Sequence, residues 1–176
     1  AEAQAALRLE VSESPPPAPA EGLPSAVASV TARAELAGAS LQRYLADYGD
    51  GDALGHMAKL SLAARTFEAG KAAEAVTLYT ELLGRSDLTS DLRYFALDGL
   101  AAAQTATGDR EGARKSYGEL ATLESGIYGD YAALKQGELL AAEGKKEEAR
   151  KAFEAALERY PSGGYRDEIQ KRLDLL

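Results

Sequence analysis

The sequence predicts an all-α fold, a helical repeat solenoid of about three helix pairs with an extra N-terminal helix and a C-terminal capping helix. The chain is 45% hydrophobic but has only three Phe, nine Tyr and no Trp. Its interior must therefore be built from close helix contacts around small side chains. Glycine-containing turns also recur at near-equal spacing along the chain. No window alternates apolar and polar residues with a period of two, so we expect no β-strand.

The first 24 residues are expected to form an N-terminal extension and a linker. A short helix-compatible run leads into a stretch with three consecutive prolines, Pro15, Pro16 and Pro17. Such prolines fix the backbone near polyproline II and remove the amide donors that a helix needs. We place a single repeat domain over residues 25–176. Because the sequence begins at Ala1, we expect a trimmed chain, and whether a signal or a membrane anchor precedes it is left open.

A long first helix is predicted over residues 25–48, where apolar side chains recur three or four apart and mark one helix face. The run Gly49-Asp50-Gly51 ends this helix. The chain after it reads as a series of paired helices. Their predicted ranges are 53–69, 71–84, 90–107, 109–124, 130–143, 145–159 and 163–176.

Three glycine turns define the repeat. Gly70, Gly108 and Gly144 lie roughly 36–38 residues apart, a spacing typical of paired-helix solenoids. A small residue and an aromatic residue follow each turn at the same distance, as Ala75 and Tyr79, Ala113 and Tyr117, and Ala149 and Phe153. Residues four apart share a helix face, so the small one lets a neighbouring helix approach while the aromatic fills the wedge beyond it. Glycine supplies the positive φ that ends a helix tightly.

The last of these units resembles the tetratricopeptide repeat family. The matching positions are Gly137, Gly144, Ala149, Phe153, Ala156 and Pro161. The two earlier units are degenerate copies, with Ala63 and Ala101 where the first-helix glycine would stand. The resemblance covers residues 53–176 and implies a module that holds other polypeptides and is not an enzyme.

Four further segments resemble the soluble domain of YfgM-type proteins, which are ancillary subunits of the bacterial Sec translocon. These segments are residues 44–49, 58–63, 131–140 and 171–176. The resemblance implies a location on the periplasmic side of the inner membrane, a preceding membrane anchor, and client polypeptides or chaperones as partners. The proline-rich segment departs from that family. Residues 159–165 also resemble the periplasmic coordinator of the Tol-Pal system, whose repeats often close in Tyr-Pro.

Composition limits the classes of partner and the compartment. The net charge of -8 makes nucleic acids and anionic membrane surfaces poor partners. No stretch approaches the ~20 apolar residues of a membrane helix. The absence of cysteine excludes disulfides and thiol chemistry and gives no sign of the redox compartment, so cytoplasm and periplasm both stay open.

Few residues point to catalysis, and we predict no cofactor and no metal. His56 is the single histidine, and the chain has no cysteine to pair with it. We expect His56 to be a partly exposed residue in the first turn of a helix. Asp47, Asp50 and Asp52 suggest a calcium loop, but such a loop would need an oxygen ligand at Leu54 and a glutamate where the chain has Ser61. We interpret these aspartates as helix caps and turn residues.

The family resemblance also implies a partner-binding groove along the first helix of each pair. The positions it selects are Met57, Leu60, Ala64, Phe95, Asp98, Tyr131, Leu134 and Glu138. This set is apolar with acidic points and suits hydrophobic, partly extended segments. It lacks the lysines and asparagines with which some family members bind a C-terminal carboxylate. The alternative is that these side chains pack the core.

Two functions therefore remain. The first is a module that binds client polypeptides or chaperones near the Sec translocon. The second is a scaffold or coordinator in a cell-envelope complex, with dimerisation through the first or last helix. They predict different behaviour, because a client binder captures unfolded polypeptide whereas a scaffold has one stoichiometric partner or forms a dimer.

Overall fold

The computed structural model describes residues 10–11, 26–27, 29–123 and 127–176. Eight α-helices span these residues, in the predicted order and with ends close to the predicted ones. They are α1 Val30–Tyr48, α2 Ala53–Glu68, α3 Ala72–Leu83, α4 Ser90–Thr107, α5 Arg110–Leu120, α6 Gly129–Ala142, α7 Lys146–Arg159 and α8 Arg166–Asp174. The predicted all-α helical-repeat fold is confirmed.

The chain divides into two compact units, residues 1–103 and residues 104–176. In the first unit α1 contacts α2, and α2 contacts α3. In the second unit α6 contacts α5, α7 and α8, and α7 contacts α8. The assignment of residues 25–176 to a single domain stays a prediction.

The N-terminal side of α1 differs from the prediction. Strand β1, Glu10–Val11, pairs in parallel with strand β2, Ala26–Val27, so the expectation of no strand was wrong for these residues. Strands of two residues are too short to show alternation in a sequence. Helix α1 accordingly begins at Val30 and not at residue 25, because the Ser29 hydroxyl caps it by accepting the Ala32 amide at 3.1 Å. The proline-rich stretch lies outside the described residues.

The three glycine turns share one geometry. Gly70, Gly108 and Gly144 have φ values of 81°, 85° and 76°, so the predicted positive φ is confirmed. The amide after each glycine donates to the carbonyl five residues earlier, Lys71 to Thr66 at 3.1 Å, Asp109 to Gln104 at 2.8 Å and Lys145 to Leu140 at 3.0 Å. This six-residue ring is the Schellman motif, which satisfies carbonyls that a helix end leaves without partners.

The small-then-aromatic pairs lie in the core, as the repeat predicts. Ala75, Ala113 and Ala149 are fully buried, and so, within a few per cent, are Tyr79, Tyr117 and Phe153. In the first unit Tyr79 joins a cluster from α2, α3 and α4. Its ring packs against Gly99 of α4, where a Cβ atom would collide with it, just as Phe153 packs against Gly137. The close approach of Tyr79 therefore uses Gly99, a residue that the repeat alignment did not select.

Candidate functional site

The predicted groove residues of the first unit include two exposed apolar side chains on first helices of pairs. Met57 of α2 is 54% exposed and Phe95 of α4 is 56% exposed. Leu60, one turn after Met57, is partly buried and packs on the core cluster shared by α2, α3 and α4. Leu92, one turn before Phe95, packs on the same cluster. Met57 and Phe95 thus present apolar surface beside side chains that rest on one common core.

The other two predicted groove residues of this unit are Ala64 and Asp98, and both are partly buried. Asp98 lies one turn after Phe95 on α4, so it shares a helix face with that ring. The Tyr94 and Phe95 rings meet edge to face with centroids 5.1 Å apart. Met57, Leu60 and Phe95, called here the α2–α4 surface, are the apolar part of the predicted site.

The predicted groove residues of the second unit behave differently. Leu134 is only 3% exposed and belongs to the core cluster with Ala149, Phe153 and Ile169. Its selection as a partner-binding residue was wrong, because α7 and α8 cover the helix face on which it lies. A buried leucine at this position stabilises the unit and offers nothing to a partner.

Glu138 forms hydrogen bonds to two basic side chains of its own unit. Its carboxylate accepts from Arg172 Nε at 2.7 Å and from Lys135 Nζ at 3.0 Å. Burial acts to raise the pKa of Glu138, but the hydrogen bonds from Arg172 and Lys135 hold it below its usual value. The predicted acidic point is therefore one member of an ion-pair network that joins α6 to α8.

Tyr131 forms part of a small aromatic surface. Its ring lies 5.0 Å from that of Tyr165, centroid to centroid, at an interplanar angle of 52°. Lys135 Nζ lies 5.6 Å from the centroid of the Tyr131 ring. Tyr165 is 40% exposed. This pairing brings together residues from α6 and from the turn before α8, which the groove mapping did not connect.

A buried carboxylate that the sequence reading missed holds this pair in place. Asp130 is 8% exposed. Its Oδ1 accepts the Tyr131 amide at 2.8 Å and its Oδ2 accepts the Tyr165 amide at 3.1 Å. A Cβ on Gly163 would come within 2.6 Å of Oδ2. The signal in the sequence was the Gly163-Gly164 pair, since glycine permits close approach to another group.

His56 is 2% exposed, so the expected partly exposed position was wrong. Its Nε2 is buried without a hydrogen-bond partner among the described residues and lies 3.6 Å from Asp87 Oδ1. Asp87 belongs to the connection between α3 and α4, and this connection covers the first turn of α2. The amphipathic pattern of α2 alone does not show that His56 is buried, because the residues that contact it come from a distant part of the chain.

Asp50 and Asp52 lie in the turn before α2 as predicted, whereas Asp47 lies within helix α1, so its predicted cap or turn role was wrong. Asp52 caps α2, its Oδ1 accepting the Gly55 amide at 2.8 Å. Asp50 pairs with Lys59 Nζ at 2.8 Å and with Arg85 at 3.5 Å. The hydrogen bond from Lys59 is the main cause that lowers the pKa of Asp50. Among the described residues, no group of His, Cys, Asp or Glu side chains is arranged to hold a metal ion.

One recess lies between α1, α2 and the start of α3. Gly38 and Leu62 line it, together with the Glu35–Lys71 ion pair, whose atoms are 3.7 Å apart, and Arg65. Arg65 is itself paired with Glu68 at 2.7 Å. Glu74 lines the recess as well, so acidic and basic groups are mixed there and favour neither an anion nor a cation.

Comparison with known proteins supports the repeat reading. The family model described as a tetratricopeptide repeat-like domain matches residues 23–176. The match includes α1, which the resemblance of the individual repeat motifs did not cover. No curated protein matches the chain in sequence. Of the helices that the structure describes, none has the length and apolar character needed to cross a membrane.

Proposed function

Since the chain belongs to the tetratricopeptide repeat-like domain family, we propose that it binds an extended, apolar segment of another polypeptide through its α2–α4 surface. Proteins with domains of this family are interaction modules, and the stacked helices of such repeats provide surfaces for partners. The proposal includes no catalytic step.

The observation that carries the proposal is the exposure of Met57 and Phe95. Each is more than half exposed, and each stands one turn from a leucine seated on the common core. A flexible thioether adapts to varied partner shapes, and a phenyl ring supplies a large contact area at low entropic cost. Exposed apolar residues above a well-packed core are typical of binding sites.

We further propose that this binding takes place beside the bacterial Sec translocon, on the periplasmic side of the membrane. The support is the similarity of residues 44–49, 58–63, 131–140 and 171–176 to YfgM-type subunits. Emerging clients and chaperones expose extended apolar segments, which suit the α2–α4 surface. A photo-crosslinking amino acid in place of Phe95, in bacterial cells, tests the location. Recovery of translocon subunits or their clients supports it, and adducts with cytoplasmic proteins alone refute it.

A binding measurement tests the surface itself. The full chain is titrated against a labelled, permanently unfolded polypeptide, and the double variant Met57→Ser, Phe95→Ser is compared with wild type. Loss of two anchors of ~1 kcal/mol or more each predicts binding that is weaker by about thirtyfold or more. Both side chains are exposed, so the melting temperature should stay nearly unchanged.

The matched control is the double variant Val30→Ser, Tyr48→Ser. These residues are 52% and 77% exposed and belong to α1 of the same unit but not to the α2–α4 surface. Their replacement removes similar apolar area and should leave binding intact. Equal weakening by both double variants would show that general surface hydrophobicity, and not the α2–α4 surface, drives binding.

The scaffold function is the second candidate, and one observation favours it. Leu175, just after α8, is 72% exposed, while Leu173 and Leu176 beside it pack on the core. An edge helix with such a residue is a natural contact for an envelope-complex subunit or a second copy. If Leu175→Ser abolishes a stoichiometric complex that Met57→Ser, Phe95→Ser leaves intact, the scaffold function replaces the first proposal.

A further inference from the structure

The exposed face of α4 carries a carboxylate on either side of the Phe95 ring. Asp91 lies one turn before Phe95 and Asp98 lies one turn after it, so the three residues share one helix face. Asp91 and Phe95 are exposed and Asp98 is partly buried. Ala96 and Leu97, which point away from this face, are buried in the core. The apolar ring is therefore bordered by negative charge along its own helix.

The basic side chains nearest to this face in the chain already have partners. Arg93, on the same helix, donates to two backbone carbonyls at and just after the end of α3, at 3.1 and 3.0 Å. Lys59 of α2 lies within 2.9 Å of two carboxylates, and Arg85 lies within 3.5 Å of two. The Asp91 carboxylate, by contrast, is paired with no donor or basic side chain in the part of the chain that the structure describes. Its charge is open to a partner.

A segment that covers the Phe95 ring must also displace water from the carboxylates beside it. A carboxylate that loses water and gains no counter-charge raises the free energy of the complex. Neutral segments carry this cost, and acidic segments add repulsion to it. Basic side chains on the bound segment offset it, and complementary charges at the edge of an apolar contact also fix its orientation. The charge of a segment therefore decides whether its apolar side chains can use this surface.

We propose that the α2–α4 surface selects extended segments in which two basic residues flank an apolar pair, with the basic side chains bound by Asp91 and Asp98. This inference rests on the function proposed above and names the class of its partner. Asp91 and Asp98 are seven residues apart on α4, which corresponds to ~10 Å along the helix axis. An extended segment covers that distance in about three residues. The basic residues of the partner are therefore about three positions apart, with apolar side chains between them over Phe95.

Three labelled peptides test the charge preference against the full chain by fluorescence anisotropy. They share the sequence Ser-Leu-X-Leu-Phe-X-Val-Ser, in which both X positions are lysine, glutamine or glutamate. The lysine peptide should bind about tenfold more tightly than the glutamate peptide, with the glutamine peptide between them. Added salt should reduce the difference, because exposed ion pairs are screened. Equal affinity of the three peptides for the wild-type chain overturns the proposal.

A matched pair of variants separates a local contact from general attraction to an acidic protein. Asp91→Asn should weaken binding of the lysine peptide about two- to fivefold and leave the glutamine peptide unchanged. Glu74→Gln is the control, because Glu74 is also an exposed carboxylate in the first turn of a helix of the same unit, α3. It lines the recess beside α1 and does not belong to the α2–α4 surface. Equal weakening by the two variants would show that overall charge attracts the peptide, which overturns the proposal.

The two-point contact has its own test. Asp98→Asn should add to the effect of Asp91→Asn, because the two carboxylates bind different basic residues. A double variant that binds the lysine peptide no more weakly than Asp91→Asn alone overturns this contact. Asp91→Lys should bring the affinities of the lysine and glutamate peptides close together. An unchanged preference for lysine in Asp91→Lys, in a chain with unchanged helicity, also overturns the proposal.

The double variant Met57→Ser, Phe95→Ser distinguishes failure of this inference from failure of the proposed function. It should weaken binding of all three peptides, since it removes the apolar anchors that they share. If the three peptides bind wild type equally and the double variant weakens all of them, the proposed function stands and the charge preference is wrong. If the lysine peptide binds and the double variant leaves its affinity unchanged, the proposed function fails and this inference fails with it.

Discussion

The side chain of Asp130 and the backbone amide of Tyr165, 35 residues later in the chain, form a hydrogen bond of 3.1 Å inside the second unit. Asp130 also binds the Tyr131 amide at 2.8 Å. One buried carboxylate thus ties the first turn of α6 to the turn that leads into α8.

Removing this carboxylate should destabilise the second unit. Asp130→Ala leaves amides at a buried position without an acceptor, so we expect a loss of ~1–3 kcal/mol in the free energy of unfolding. Asp130→Asn retains one acceptor oxygen and should lose less. Urea denaturation measures both. Asp167→Ala, whose carboxylate is fully exposed, should change stability by less than about 0.5 kcal/mol, and a comparable loss there would contradict the role of Asp130.

Two helical glycines should respond in opposite directions to alanine. At Gly99 a Cβ collides with the buried Tyr79 ring, so Gly99→Ala should cost ~1–3 kcal/mol. At Gly38 the nearest atom to a new Cβ is Leu62 Cδ1 at 3.7 Å, an ordinary contact. Gly38→Ala should therefore gain ~0.5–1 kcal/mol of helix propensity. Thermal melting compares the two variants, and stabilisation by both would show that Tyr79 does not pack against Gly99.

A larger side chain at position 149 should lower the stability of the protein. This residue is fully buried in the cluster with Leu134, Phe153 and Ile169. Ala149→Leu adds volume where no space exists and should cost ~1–3 kcal/mol. Ala155→Leu on the same helix is the control, because Ala155 is exposed. If the two variants melt at the same temperature, the assigned register of α7 is wrong.

Alkaline pH should weaken the first unit through Tyr79. Burial, with a further contribution from the Asp98 charge, raises the pKa of Tyr79 to about 12, whereas an unfolded tyrosine titrates near ~10. A raised pKa means that the neutral form is favoured in the folded state. The stabilisation is complete below pH ~10 and is lost as the pH rises toward 12.

Tyr79→Phe should remove that part of the pH dependence. We expect the difference in stability between pH 9 and pH 11, measured by urea denaturation, to be smaller in the variant than in wild type. Tyr48→Phe serves as the control, because Tyr48 is 77% exposed. An unchanged pH dependence in Tyr79→Phe would mean that the phenol of Tyr79 ionises in the folded state as readily as in the unfolded chain.

Much of the fold follows from local sequence, and the exceptions have a common physical cause. Gly70, Gly108 and Gly144 could be recognised because positive φ at a helix end depends only on the residues around the turn. The burial of His56 could not be recognised in this way, since the connection that contains Asp87, some 30 residues later, lies against it. Met57 and Phe95 lie exposed as the groove mapping requires, while Leu134, at the repeat position of the partly buried Leu60 and Asp98, is buried by α7 and α8. Repeat position therefore predicts which helix face a residue occupies, but the neighbouring helices decide whether that face is open.

The Schellman ring at each glycine turn also restricts how such a chain can change in length. The ring needs one fixed number of residues between the donor amide and the acceptor carbonyl, and an inserted residue would break it and leave helix-end carbonyls without partners. An insertion or deletion within the turn is therefore costly, whereas the far ends of the paired helices and the connections between pairs have no such ring to preserve. The interval from Gly70 to Gly108 accordingly differs from that between Gly108 and Gly144 outside the turns, since α4 has 18 residues and α6 has 14.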